Sequence, residues 1–117
     1  MDLAGSARLC LSNAVWRATG LRSAGRTLVH ALGSEDENRK SLAGMFLVQA
    51  GRKAEPLLEE ALSKGDNLPL VLTLLGDIGD TKFEPELRRF SQDANPEVAR
   101  AAQDALLALA RRREQAG

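Results

Sequence analysis

Three polar breaks recur along the chain at nearly constant spacing, and each ends in an asparagine. The asparagines are Asn38, Asn67 and Asn95, which lie 29 and 28 residues apart. A second break with a glycine falls inside each interval, at Gly51 and Gly79, and Gly20 extends the same series. Self-similarity at a period of about 20–50 residues is typical of repeat proteins. The spacing predicts units that each consist of a helix, a tight turn, a second helix and a polar turn.

The apolar composition indicates that these units are helical. Alanine (18) and leucine (20) supply 38 of the 51 apolar residues, whereas valine and isoleucine together supply six and aromatic residues four. Alanine and leucine are strong helix formers, and sheets favour β-branched and aromatic residues. The apolar fraction of 44% is too high for a disordered chain. The composition therefore predicts an all-α fold and argues against all-β and parallel α/β folds.

Proline and capping residues place the ends of the helices. Each of the four prolines falls just inside a predicted helix start, where its missing N–H and fixed φ are tolerated. Asn95 is a favourable N-cap, and Ser34 with Glu37 has the spacing of a capping box. The predicted helices are 5–18, 22–33, 37–50, 54–64, 68–78, 84–92 and 96–113.

The last predicted helix has one apolar face. The residues of this face recur at steps of three and four: Val98, Ala101, Ala102, Ala105, Leu106 and Leu109. Leu107 falls on the opposite side, and the helix ends in Arg111, Arg112 and Arg113. A helix with a polar back can close a stack of repeats, and basic residues suit the negative end of the helix dipole. This helix is interpreted as a cap.

The stretch from Leu74 to Ala110 resembles the short-helix type of HEAT repeat found in bilin (phycobilisome) lyases. The resemblance rests on a glycine-aspartate turn, a proline-started second helix and the opening of a further unit: 75–80 (LGDIGD), 84–87 (EPEL) and 93–102 (DANPEVARAA). It implies an α-solenoid, a right-handed stack of about three and a half antiparallel helix pairs whose second helices line a concave surface. The expected organisation is a single domain, 1–117, with units at 5–33, 37–64 and 67–92 and a capping helix at 96–113.

Aligning the second helices on their leucines predicts a surface stripe. Leu28, Leu58 and Leu87 become equivalent core positions, as do Ala31, Ala61 and Phe90. The two positions before each member of the second set form the candidate binding stripe: Val29, His30, Glu59, Glu60, Arg88 and Arg89. One interpretation is a mixed-charge groove for a peptide or partner helix. The other is that the glutamates and arginines only form salt bridges between neighbouring helices.

The sequence offers no pattern typical of an enzyme. It has no phosphate-binding glycine loop and no nucleophile elbow, and it has one histidine and one cysteine. A lone imidazole without ligand-spaced cysteines or carboxylates is a poor metal site. We therefore expect a non-catalytic protein–protein interaction module or regulatory scaffold, with no cofactor and no metal. The alternative implied by the resemblance is a small bilin-lyase-like accessory protein that binds a tetrapyrrole.

Charge and cysteine content set the expected partners and compartment. Sixteen basic and sixteen acidic residues leave no net charge, which argues against a nucleic-acid or anionic-membrane binder. The single cysteine, Cys10, lies between two leucines and is expected to be a buried thiol in a reducing compartment. We expect a cytoplasmic protein whose partner is an unidentified protein or peptide. We also expect a monomer or a weak homodimer associating through the apolar first helix.

Overall fold

The computed structural model describes residues 3–116, and its regular structure over that range is helical, with no β-strand. This confirms the all-α class. The α-helices are α1 (Leu3–Thr19), α2 (Arg22–Ala31), α3 (Glu37–Ala50), α4 (Glu55–Lys64), α5 (Leu68–Ile78), α6 (Glu84–Phe90) and α7 (Pro96–Ala116). Short 3₁₀ segments, Gly51–Ala54 and Thr81–Phe83, precede α4 and α6. The sequence pattern did not predict them as separate elements.

The prolines begin helices as predicted. Pro56, Pro69 and Pro85 lie in the first turns of α4, α5 and α6, and Pro96 is the first residue of α7. The Asn95 side-chain oxygen accepts a hydrogen bond from the Glu97 backbone N–H at 2.9 Å, so the predicted N-cap of α7 is confirmed. Local signals therefore located these starts correctly.

The predicted capping box at the start of α3 is wrong. The N-cap is Asp36, whose carboxylate accepts hydrogen bonds from the backbone N–H groups of Asn38 (2.9 Å) and Arg39 (3.3 Å). The Ser34 hydroxyl instead accepts a bond from the Asp36 N–H at 3.1 Å, inside the preceding turn. Ser34 is too early in the chain to be the cap, because α3 begins only at Glu37, and the residue directly before it, Asp36, carries the capping carboxylate.

The chain divides into two compact units, with the boundary between Asp66 and Asn67. This boundary falls in the polar break at 64–67 that the repeat pattern identified. In the first unit, α1 packs against α2, α3 packs against both of them, and α4 packs against α2. The core contains buried side chains from all four helices, among them Leu9, Trp16, Leu28, Leu32, Leu47 and Leu58.

The second unit is organised around α7, which packs against α5 and α6. Its core includes Val71, Leu72, Leu75, Phe83, Leu87, Val98, Ala102, Ala105 and Leu109. The end of α7 is bonded to the α5–α6 region, because the Arg112 guanidinium donates to the Asp77 carbonyl and Arg113 pairs with Glu84. The basic tail therefore anchors α7 within this unit.

The burial of individual residues confirms most of the predicted core. Leu28, Leu58 and Leu87 are each fully buried, and Leu107 is exposed as predicted. Cys10 is a correction, since its side chain is exposed on α1 and not buried. The same exposed side of α1 carries Leu11, which is 67% exposed. The two leucines beside Cys10 do not predict its burial, because α1 buries only the side that carries Leu9 and Trp16.

None of the helices in the described range is both long and apolar enough to cross a membrane.

Candidate functional site

The candidate site is built where α2 and α4 approach each other in the first unit. Gly25 makes this approach possible. A methyl group added at Gly25 would lie 2.5 Å from Leu57 Cδ1 and 2.9 Å from Trp16 Nε1. Leu57 of α4 and Trp16 of α1 therefore occupy the space that a larger residue at position 25 would need. A glycine at position 25 therefore allows α2 to lie close to both of these side chains.

A cleft of about 290 Å³ opens between α2 and α4. It has an apolar floor and a charged rim. The lining residues are Arg26, Val29, His30, Leu57, Glu60, Ala61, Lys64 and Asp66. Leu57 and Ala61 are nearly covered, Val29 is half-buried, and the remaining lining residues reach solvent. The cleft can therefore offer both an apolar contact and hydrogen bonds to a bound group.

Glu60 is the centre of an ion-pair network on the rim of the cleft. Arg26 donates from Nε to Glu60 Oε1 at 3.1 Å and from Nη2 to Oε2 at 3.2 Å, which is a bidentate pairing across the two helices. Lys64, one turn further along α4, donates to Oε1 at 3.2 Å. The hydrogen bonds from Arg26, followed by that from Lys64, hold the pKa of Glu60 below its usual range.

Three of the six residues in the predicted binding stripe come together in this cleft. Val29 and His30 line it from α2, and Glu60 lines it from α4. Glu59 is exposed on α4 and is not one of the lining residues. Arg88 and Arg89 are exposed on α6, in the second unit.

The two arginines of α6 have partners close to them. Arg88 Nη2 lies 2.5 Å from Glu84 Oε1, one turn earlier in the same helix. The guanidinium of Arg89 lies over the Phe90 ring, 5.1 Å from its centroid. Arg113 pairs with the other oxygen of Glu84. The hydrogen bond from Arg88 and the charge of Arg113 hold the pKa of Glu84 below its usual range.

The sequence pattern missed five lining residues: Arg26, Leu57, Ala61, Lys64 and Asp66. A local signal for two of them existed. Arg26 precedes His30 by four positions, and Lys64 follows Glu60 by four, so each shares a helix face with a residue of the stripe. The predicted stripe consists of pairs of adjacent positions, and adjacent side chains point in different directions on a helix.

The described part of the chain, residues 3–116, holds no group of three or more His, Cys, Asp or Glu side chains that could bind a metal ion. No family model matches the chain, and comparisons with the curated proteins and with the solved structures return no match.

Proposed function

We propose that this protein is a non-catalytic protein-binding module that holds a peptide segment of its partner in the α2–α4 cleft. The observation that carries the proposal is the composition of the cleft, whose apolar floor is bordered by an ordered ion-pair network. A few polar groups around an apolar surface are the usual composition of a recognition site. An extended or helical segment can place one apolar side chain on Val29 and its polar neighbours on the rim.

The proposal includes a HEAT-like arrangement of the helices, acting as a cytoplasmic scaffold or regulatory subunit. Its support is one feature of packing that the two units share. In the first unit α3 lies against both preceding helices, and in the second α7 does the same. Stacking of a further helix on each pair is how repeat proteins bury the apolar face that a pair leaves open.

The volume of the cleft favours a side chain of a protein partner over a pigment. At about 290 Å³ it lies at the lower limit of the roughly 300–1,000 Å³ that small-molecule sites occupy. A tetrapyrrole is the ligand of the alternative drawn from the bilin-lyase resemblance. Mixing the protein with a bilin is therefore expected to leave the visible absorption spectrum of the pigment unchanged.

Selection of peptides from a random displayed library tests the proposal directly. Enriched peptides are synthesised with a fluorescent label, and their dissociation constants are measured by fluorescence anisotropy. We expect Val29→Asp, which places a charge on the cleft floor, to weaken binding by about tenfold or more, equivalent to ~1.4 kcal/mol. The matched control is Leu107→Asp, which makes the same kind of change at an exposed apolar residue of α7.

Two results would reject the proposal. One is that the library yields no peptide that binds the folded protein. The other is that Val29→Asp and Leu107→Asp bind the selected peptides equally well, because binding would then not depend on the cleft.

A further inference from the structure

Resting on the proposed function, we infer that the α2–α4 cleft selects acidic peptide segments, in which an Asp or Glu lies close to an apolar anchor residue. The formal charge of the cleft does not make this choice, since Arg26 and Lys64 are balanced by Glu60 and Asp66. The preference for an acidic ligand follows from the hydrogen bonds of the network. They occupy most acceptor sites of Glu60 and leave most donors of Arg26 and Lys64 for a ligand.

The acceptors of Glu60 are largely occupied. A carboxylate has about four lone-pair sites. Arg26 takes two of these with its paired bonds of 3.1 and 3.2 Å, and Lys64 takes a third at 3.2 Å. The Glu60 side chain is also the least exposed of the three, at 28%. A basic ligand would have to displace Arg26 or Lys64 before it could pair with this carboxylate.

The donors on the rim are largely available. A guanidinium has about five N–H groups and an ammonium about three. Arg26 uses two of its groups in the network and Lys64 uses one. Their side chains are 53% and 61% exposed, respectively. An incoming carboxylate can therefore bind Arg26 and Lys64 while both keep their bonds to Glu60.

The positions of the cations place the acidic residue of the ligand near its apolar anchor. On α2, Arg26 precedes Val29 by three residues, and on α4, Lys64 follows Ala61 by three. Residues three apart are neighbours on one helix face, so each helix presents a cation about one turn from the apolar floor. An apolar side chain seated on the floor therefore brings its sequence neighbours within reach of a cation.

Asp66 is the opposing charge and limits this selectivity. It lies in the turn after α4, where its backbone N–H bonds to the Ala61 carbonyl at 3.1 Å and its side chain is exposed. Its carboxylate repels an acidic ligand at that end of the cleft. Asp66→Asn is therefore expected to strengthen the binding of acidic peptides.

Labelled peptides that differ only in charge test the inference. Each has the same central leucine, flanked by Glu in the first, Lys in the second and Ser in the third, and dissociation constants are measured by anisotropy at low ionic strength. We expect the Glu peptide to bind about tenfold more tightly than the Lys peptide, with the Ser peptide between them. Added salt should reduce the difference.

Glu60→Gln provides the decisive variant, with Glu59→Gln as its control. Both remove one negative charge from α4, but Glu59 is exposed and does not line the cleft. Glu60→Gln removes the carboxylate that pairs with Arg26 and Lys64, so it should lower the dissociation constant of the Glu peptide several-fold. Glu59→Gln should leave its affinity unchanged. Circular dichroism confirms that both variants keep the wild-type helix content.

The outcomes separate this inference from the proposed function. Equal or tighter binding of the Lys peptide overturns the inference, as does an equal effect of the two glutamine variants. The proposed function survives either result if binding is still lost in Val29→Asp. If none of the three peptides binds, or if Val29→Asp does not weaken the binding of any of them, both the inference and the proposed function are rejected.

Discussion

The two units use a helical glycine in the same way but against different neighbours. In the first unit the space beside Gly25 is taken by the ends of side chains, Leu57 Cδ1 and the Trp16 indole. In the second unit the space beside Gly76 is taken by the α7 backbone, since an added methyl group would lie 2.8 Å from Ala105 Cα. Side-chain ends can move by rotation, whereas a helix backbone moves only with its helix. The α2–α4 contact is therefore the more adaptable of the two, and it borders the cleft.

Gly76→Ala is expected to give the largest effect of the changes that test this comparison. Alanine favours a helix over glycine by ~1 kcal/mol, but here its methyl group meets Ala105. We expect the free energy of unfolding to fall by about 1–3 kcal/mol, the usual cost of overpacking, as measured by urea denaturation. Asp77→Ala, an exposed change at the next position, should stay within about 0.5 kcal/mol of wild type. If Gly76→Ala instead raised the free energy of unfolding, α5 and α7 would have to be able to move apart at little cost.

Loss of the N-cap residue in either unit should reduce the stability by an intermediate amount. Asp36 accepts two backbone hydrogen bonds at the start of α3, and Asn95 accepts one at the start of α7. Loss of an N-cap costs about 0.5–2 kcal/mol. We expect Asp36→Ala to lie near the upper end of this range and Asn95→Ala near the lower end, both measured by thermal and urea unfolding. Ser34→Ala serves as the control at α3, and a larger loss in Ser34→Ala than in Asp36→Ala would contradict the assignment of the cap.

Gly25→Ala is expected to cost less than Gly76→Ala. Rotation of Leu57 can relieve part of the clash, and the better helix propensity of alanine offsets another part, so we expect a net loss below about 1 kcal/mol. Adding Leu57→Ala should reveal coupling, because the double variant should be less destabilised than the sum of the single variants. Simple additivity of the two changes would mean that Gly25 and Leu57 do not share this space.

The changes in stability on acid titration should be the smallest, and they compare Glu60 in the first unit with Glu84 in the second. Glu60 and Glu84 both have a pKa below the usual 4.5, because arginine side chains hydrogen-bond to the carboxylates. A lowered pKa stabilises the fold above pH 4.5, and this contribution is lost as the pH falls through the lowered value. Glu60→Gln and Glu84→Gln should therefore be less stable than wild type near neutral pH, with the difference shrinking in acid.

Glu59→Gln controls for the change in net charge, since Glu59 is an exposed neighbour of Glu60. Near neutral pH it should cost less stability than Glu60→Gln, because it leaves the hydrogen bonds from Arg26 and Lys64 to Glu60 in place. An equal loss in these two variants, or a loss in Glu60→Gln that does not shrink in acid, would remove the role assigned to the arginine contacts.

The sequence predicted the helices and their starts because the signals for them are local. Proline restricts φ at its own position, and Asn95 needs only the N–H two residues later. The leucines at 28, 58 and 87 were placed in the core correctly because helical periodicity fixes which side of a helix is apolar. Helix ends were less accurate, and α2 stops at Ala31 where the pattern extended it to 33.

The candidate site was predicted only in part because its composition depends on contacts between distant residues. Val29, His30 and Glu60 were identified, but Arg26 was not, although it is the bidentate partner of Glu60 from 34 residues away. The prediction that Cys10 is buried is likewise wrong, since adjacent leucines do not show which side of α1 meets a neighbour.

By itself, then, the sequence determined an all-α chain with polar breaks at regular spacing, because the amino-acid preferences that set helices and turns act over a few residues. The tertiary structure decided that Gly25 meets Leu57, that Arg26 occupies the acceptors of Glu60, and that the half-buried Val29 lines the same cleft. Each of these depends on how closely two helices approach. That distance is set by the packing of side chains far apart in the chain, which no local pattern records.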